Sequence, residues 1–168
     1  MIREIFEATV RALTDVKHAR FFENERGYQG QFYCQLQAQL KTLDCLPRDA
    51  ILEIEYQKSA RYEIYQRPDI ILHIPANRNE DIPKNNFAVW ALKRSASEAE
   101  AQEDFRKLDE MFEVLDYAVG FLVNIDSCRT RRDEYAGRFP DRVFGFAVQL
   151  EGADVRVINS PDIANTTR

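Results

Sequence analysis

The chain has 168 residues, of which 45% are hydrophobic and 30% are charged, a composition typical of a soluble globular protein. Its net charge of −5 argues against broad, non-specific binding of nucleic acid, although it leaves room for a local basic face. No apolar run approaches the roughly 20 residues of a membrane helix. The amphipathic N-terminal segment, with Glu4 and Glu7, lacks the continuous apolar region of a signal peptide. We therefore expect a cytoplasmic protein that does not associate with membranes.

The cysteines and histidines do not predict a zinc site. Cys34, Cys45 and Cys128 are scattered along the chain, and the two histidines, His18 and His73, do not complete any ligand spacing with them. Free cysteine is among the residues most often found in protein cores. We expect three free, buried thiols.

Two amphipathic helices are predicted in the first third of the chain. Apolar side chains recur every three or four positions in residues 2–20, and again in residues 28–43 after a break at 21–27. Pro47 prevents continuation of the second helix. Glutamines crowd its remaining positions, which indicates either a solvated face or a contact surface for a partner.

The periodicity then changes from helical to alternating. Residues 51–56 read as a strand, residues 58–60 as a hairpin turn, and residues 61–74 as a long strand that is interrupted by Pro68. A polar loop over residues 75–86 leads to a strand at 87–92. This strand is apolar on both faces, which predicts a central position covered from both sides.

The second half of the chain predicts a helix, a strand, a short helix and a hairpin. Ser95 or Ser97 begins a helix that extends to about residue 117, and residues 118–125 form a buried strand. The strands before and after that helix should be parallel. Residues 126–139 read as a short charged helix, followed by a hairpin of residues 142–150 and 154–158. Together these elements predict a single α/β domain over residues 1–160, with a mixed sheet flanked by helices. Residues 161–168 are predicted to form a loose C-terminal tail.

Two short motifs stand at the ends of predicted strands. Arg67-Pro68-Asp69 opens one apolar run, and Ala91-Leu92-Lys93 ends the next one. With the order of the elements, these motifs make residues 22–125 resemble the core of the PD-(D/E)xK, restriction-endonuclease-like family. The resemblance implies an αβββαβ core, to which this chain adds an N-terminal helix and a C-terminal hairpin.

The resemblance also implies an activity, namely hydrolysis of DNA phosphodiesters with Mg²⁺ or Mn²⁺. Asp69 matches the metal-binding aspartate, Lys93 the lysine that positions the attacking water, and Glu25 the glutamate of the first helix. A divalent cation neutralises the phosphate and acidifies a water molecule, and hard cations prefer carboxylate oxygens. A lysine beside them acts as a point charge.

The chain departs from the family pattern at one metal-binding position. Ala91 stands where the motif requires an acid, and Gln31 occupies the second position of the first helix motif. Glu55 or Glu53, on one side of the neighbouring strand, could supply the missing carboxylate to the metal, and His73 shares the face of the motif aspartate. Each candidate also has an ordinary interpretation, as a surface carboxylate or a structural histidine.

Two functions therefore stay open at this stage. The retained Asp69 and Lys93 favour a metal-dependent nuclease, whereas Ala91 favours a non-catalytic module with the same fold that binds nucleic acid, a protein partner or a second copy of itself. A basic segment, Arg129-Thr130-Arg131-Arg132, could contact phosphates, although a solvated helix face balanced by Asp133 and Glu134 is the favoured interpretation.

Overall fold

The computed structural model describes residues 1–54, 68–75 and 85–161. The helices within these residues are α1 (Ile2–Thr14), α2 (Ala19–Phe22), α3 (Glu25–Leu40) and α4 (Glu98–Leu115). The strands are β1 (Ile51–Ile54), β2 (Ile70–His73), β3 (Asn86–Arg94), β4 (Val119–Ile125), β5 (Val143–Glu151) and β6 (Asp154–Ser160). Two short 3₁₀ turns, Arg132–Glu134 and Pro140–Arg142, lie between β4 and β5.

The six strands form one open sheet in which the spatial order equals the chain order. The first three strands are antiparallel to one another, β3, β4 and β5 run parallel, and β5 and β6 form an antiparallel hairpin. The prediction of an α/β protein with a mixed sheet and flanking helices is confirmed. The parallel pairing across α4 and the terminal hairpin are confirmed as well.

Strand β3 lies at the centre of the sheet and is covered on both faces. Ala88, Trp90 and Leu92 face the core that contains α1 and α3. Val89 and Ala91 face the core beneath α4. This alternation explains why β3 is apolar at nearly every position.

Polar side chains set where the helices begin. The side chain of Asn24 accepts hydrogen bonds from the amides of Arg26 and Gly27, so α3 begins at Glu25, three residues before the position predicted from the apolar stripe. The side chain of Ser97 accepts from the amide of Glu100, whose carboxylate in turn accepts from the Ser97 amide. This capping box confirms Ser97 as the cap of α4.

Two of the predicted helices differ in the structure. The first ends at Thr14 instead of continuing to residue 20, and the side chain of His18 begins the separate helix α2 by accepting from the Arg20 amide. The charged helix predicted over residues 126–139 is wrong, because that segment contains a single 3₁₀ turn. Asp126 and Arg131 adopt positive φ angles of 56° and 58°, which a right-handed helix cannot include.

The expectation of buried thiols is wrong for two of the cysteines. All three are free, but Cys34 and Cys128 are exposed and Cys45 is half-buried. Cys34 lies on α3 beside the buried stripe, not in it. Free thiols at these positions contribute little to the core.

Several predictions fall outside the described residues. These are the end of the first strand with Glu55, the hairpin turn at 58–60, the first part of the long strand, most of the loop at 75–86, and residues 162–168 of the tail. Among the residues that are described, none of the helices combines the length and apolarity required to cross a bilayer.

The packing of α4 on the sheet depends on a glycine in β4. A Cβ atom at Gly120 would lie 2.7 Å from the buried ring of Phe112, whereas a Cβ at Gly30, on the exposed side of α3, would meet nothing within 4 Å. We expect Gly120→Ala to lower the free energy of unfolding by about 1–3 kcal/mol through overpacking. Gly30→Ala should raise it by about 0.5–1 kcal/mol, because alanine loses less conformational entropy in a helix. Urea denaturation of both variants measures the two effects, and changes of equal sign would contradict this account.

Candidate active site

The backbone of β3 and the side chain of Gln29 hold Asp69 in place at the start of β2. The register that pairs Ile70 with Trp90 puts Asp69 beside Ala91. The amide of Leu92 donates to Asp69 Oδ2 at 2.7 Å. From α3, Gln29 Nε2 donates to the main-chain oxygen of Asp69 at 3.1 Å, and Gln29 is itself only 6% exposed. Asp69 is therefore fixed from two sides, by β3 and by α3.

A cavity of about 120 Å³ opens beside Asp69, between the sheet and α4. Its volume gives room for several water molecules. Charged side chains from α3, β3, α4 and the start of β2 line it: Glu25, Asp69, Lys93, Asp104 and Lys107. The rest of the lining is apolar and consists of Pro68, Val89, Ala91, Leu92, Leu108 and Met111.

The structure brings together the three side chains that the sequence singled out for catalysis. Asp69, Lys93 and Glu25 come from three separate elements and line this one cavity. Glu25 reaches it because its Oε2 accepts a hydrogen bond of 2.9 Å from the amide of Arg94, the residue after Lys93. The first turn of α3 is thereby attached to the end of β3.

The other candidates for the missing metal ligand are not found at this cavity. Glu55 lies outside the described residues. His73 Nε2 lies 2.6 Å from Glu53 Oε2, and neither residue lines the cavity. Gln31 is also absent from its lining. The expectation that Glu53 or His73 could replace the acid at Ala91 is therefore not supported by their positions.

Two residues of α4 complete the cavity and were missed in the sequence. Asp104 is only 8% exposed, and its Oδ1 lies 2.8 Å from Lys107 Nζ. The sequence contained an indication of the position of Asp104. It is spaced three, four and seven residues from Ala101, Leu108 and Met111, which places it on the buried face of α4. Aspartate is rarely buried unless it is paired or belongs to a functional site.

Burial dominates the electrostatics of Asp69. Removal of the carboxyl group from water raises the pKa of Asp69 to about 6. The hydrogen bond from Leu92 opposes this rise, the nearby carboxylates of Asp104 and Glu25 add to it, and Lys107 lowers the pKa. The surroundings of Asp69 therefore disfavour its ionised form, and a bound cation would stabilise that form.

The oxygen donors at this cavity fit a small, hard divalent cation. Within residues 1–54, 68–75 and 85–161, no three or more His, Cys, Asp or Glu side chains are grouped as a complete metal site. Mg²⁺, however, usually takes only one or two protein carboxylates and fills its remaining positions with water and phosphate oxygens. Asp69 uses Oδ2 for the Leu92 amide, and its Oδ1 has no hydrogen-bond partner in the described part of the chain. Asp69 with one neighbouring carboxylate would match the number of protein carboxylates that Mg²⁺ commonly takes.

The arginines of the segment at 129–132 serve mainly to hold the fold. Arg131 Nε donates to the main-chain oxygen of Ala96, and Arg132 Nε donates to that of Val143. Arg129 is exposed. With two of its three guanidinium groups bound to main-chain oxygens, this segment offers a smaller basic surface than its sequence indicates.

No protein-family model matches the chain, and no match was found among curated proteins or among solved structures.

The raised pKa of Asp69 predicts how stability changes with pH. Between about pH 4 and pH 6 the folded protein retains the Asp69 proton when the unfolded chain has lost it, so stability falls as the pH rises through this window. The Asp69→Asn variant has no carboxyl group at this position, so it does not lose stability in this way as the pH rises. We expect the stability of the variant relative to wild type to be greater at about pH 8 than at about pH 4, by on the order of 2–3 kcal/mol.

Guanidinium denaturation at the two pH values measures this difference. Asp133→Asn, which removes an exposed carboxylate, is the control. Equal relative stabilities of Asp69→Asn at both pH values would show that the Asp69 carboxylate is not held in an unfavourable environment.

Proposed function

We propose that the chain is a restriction-endonuclease-like protein that hydrolyses DNA phosphodiester bonds with Mg²⁺ or Mn²⁺, using Asp69, Lys93 and Glu25. The observation that carries this proposal is the convergence of these three side chains on a single cavity. Their motifs lie up to 68 positions apart in the sequence, and the fold brings them to one place.

The arrangement of elements supports the proposed fold. Helix α3 is followed by the antiparallel strands β1, β2 and β3, and then by α4 and the parallel strand β4. This is the αβββαβ order that the resemblance implies. Asp69 at the start of the second strand and Lys93 near the end of the third stand in the corresponding positions.

The residues of the cavity have separable roles in the proposed reaction. Asp69 would hold the metal, and the hydrogen bond from the Leu92 amide to its Oδ2 sets the orientation of the carboxylate before substrate arrives. A bound Mg²⁺ or Mn²⁺ would neutralise phosphate charge and acidify the attacking water. Lys93, at the rim, would hold that water or a phosphate oxygen as a point charge. Glu25 attaches α3 to the end of β3 and adds negative charge beside Asp69.

A second function, a non-catalytic binding module, is favoured by one observation. Ala91 lies beside Asp69 and lines the cavity, but it contributes no donor atom. A descendant that lost its metal would keep the fold and the cavity in this way. Metal binding separates the two proposals, since only the nuclease requires it.

Isothermal titration calorimetry with Mn²⁺ is the first test. We expect wild-type protein to bind Mn²⁺ and Asp69→Ala to lose that binding, because the variant lacks the central carboxylate. Asp133→Ala removes an exposed aspartate and should bind like wild type. Absence of binding to the wild type at millimolar Mn²⁺ would overturn the nuclease and leave the binding module.

Lys93→Met tests catalysis apart from metal binding. We expect the rate of DNA cleavage in Mg²⁺ to fall by about 10²-fold or more, since a group that acts only on water or phosphate affects the reaction and not the metal. Mn²⁺ affinity should not weaken. Lys17→Met removes an exposed lysine of the α1–α2 connection and is the matched control. Cleavage by Lys93→Met at the wild-type rate would exclude the proposed role of Lys93.

A further inference from the structure

Ala91, the position at which the family motif has an acid, has a defined location in the sheet. Ala91 lies beside Asp69 in the β2–β3 register, and its side chain points into the core beneath α4. It is nearly buried and forms part of the cavity wall. Any carboxylate that takes over the function of an acid at this position must therefore reach the cavity from α3, α4 or a neighbouring strand, and Glu25 of α3 already accepts a hydrogen bond from the Arg94 amide through its Oε2.

Helix α4 presents such a carboxylate. Asp104 lies on the face of α4 that packs on the sheet, and it lines the same cavity as Asp69 and Ala91. It is close enough to Asp69 to raise the pKa of that residue. Glu103 and Glu110, in contrast, are at least one-third exposed and pair with Arg106 on the solvent side of the helix.

The fold itself gives little reason for a charged pair at this place. Helix α4 already has a capping box at Ser97 and an apolar stripe that includes Phe105, Leu108 and Phe112. Burial of an ion pair on such a face is often neutral or unfavourable compared with apolar packing. Lys107 Nζ lies 2.8 Å from Asp104 Oδ1 and is its counter-ion, on a side chain that is 35% exposed.

We infer that Asp104 supplies the second carboxylate for the divalent cation held by Asp69, in place of the acid that β3 lacks at Ala91. Lys107 is the counter-ion of Asp104 before the cation binds, and the cation displaces it. This inference rests on the proposed function, since it concerns the same metal. It makes Asp104 a metal ligand of the site and makes Lys107 a competitor of the metal.

Titration of the wild type and of three α4 variants with Mn²⁺ tests the inference. Asp104→Asn removes one carboxylate at constant size, and we expect Mn²⁺ affinity to fall by about tenfold or more. Glu103→Gln removes an ion-paired carboxylate from the adjacent, exposed position and should change affinity by less than about twofold. Lys107→Met removes the competing cation, and Mn²⁺ affinity should rise by about threefold or more.

The opposite signs distinguish a metal site from a structural ion pair. If the pair merely stabilised α4, Asp104→Asn and Lys107→Met would both lower the melting temperature and would affect Mn²⁺ binding in the same direction, which would overturn the inference. Circular dichroism of each variant shows whether it is folded at the titration temperature. Weaker binding by folded Asp104→Asn together with tighter binding by folded Lys107→Met supports it.

Failure of the inference can be told apart from failure of the proposed function. If Asp69→Ala loses Mn²⁺ binding while Asp104→Asn binds as wild type does, the metal site stands and the role of Asp104 is overturned. If the wild type binds no Mn²⁺ at millimolar concentration, the nuclease proposal fails and the assignment of Asp104 fails with it.

Discussion

The hydrogen bond from the Leu92 amide to the Asp69 carboxylate is the contact on which the site depends. At 2.7 Å it fixes a side chain at the start of β2 to the backbone of the central strand, between the two cavity-lining residues Ala91 and Lys93. Because β3 alternates its side chains between two cores, its backbone is rigid at this point. The position of Asp69 is therefore set by the core of the sheet, not by a loop.

Charged groups of this cavity are removed from water at an energetic cost. Burial raises the pKa of Asp69, and the buried Asp104 pairs with the partly exposed Lys107 on an otherwise apolar helical face. Elsewhere among the described residues, most ion pairs involve exposed side chains that contribute little to stability. A cavity in which burial raises the pKa of a carboxyl group beside other charged side chains is a feature that functional sites often share.

The sequence predicted those parts of the site that local patterns determine. The apolar run at residues 87–92 and the helix start at Ser95 or Ser97 were sufficient to predict the central strand and the parallel crossover, whereas Asp69 and Lys93 became candidates only through the family resemblance. Asp104 could not be placed, because its proximity to Asp69 depends on how α4 lies across the sheet, and that angle follows from packing such as the contact of Phe112 with Gly120. The failed helix at 126–139 has a similar cause. Arg131 and Arg132 donate hydrogen bonds to main-chain oxygens of distant segments. The backbone of the segment includes positive φ angles, so it does not form the helix that its sequence predicted.

If the proposed function holds, the charges of the cavity would require the cation to bind before the phosphodiester. Three carboxyl groups face two lysines, and one of the lysines is already engaged by Asp104. A phosphodiester that approached this cavity alone would meet net negative charge and would be repelled. In the proposed nuclease, a divalent cation held by Asp69 and Asp104 would reverse the sign of the local charge, and Lys93 and Lys107 would then both be available to phosphate oxygens. The negative net charge of the chain would therefore be no obstacle to a nucleic-acid substrate, because the metal would supply positive charge beside Asp69.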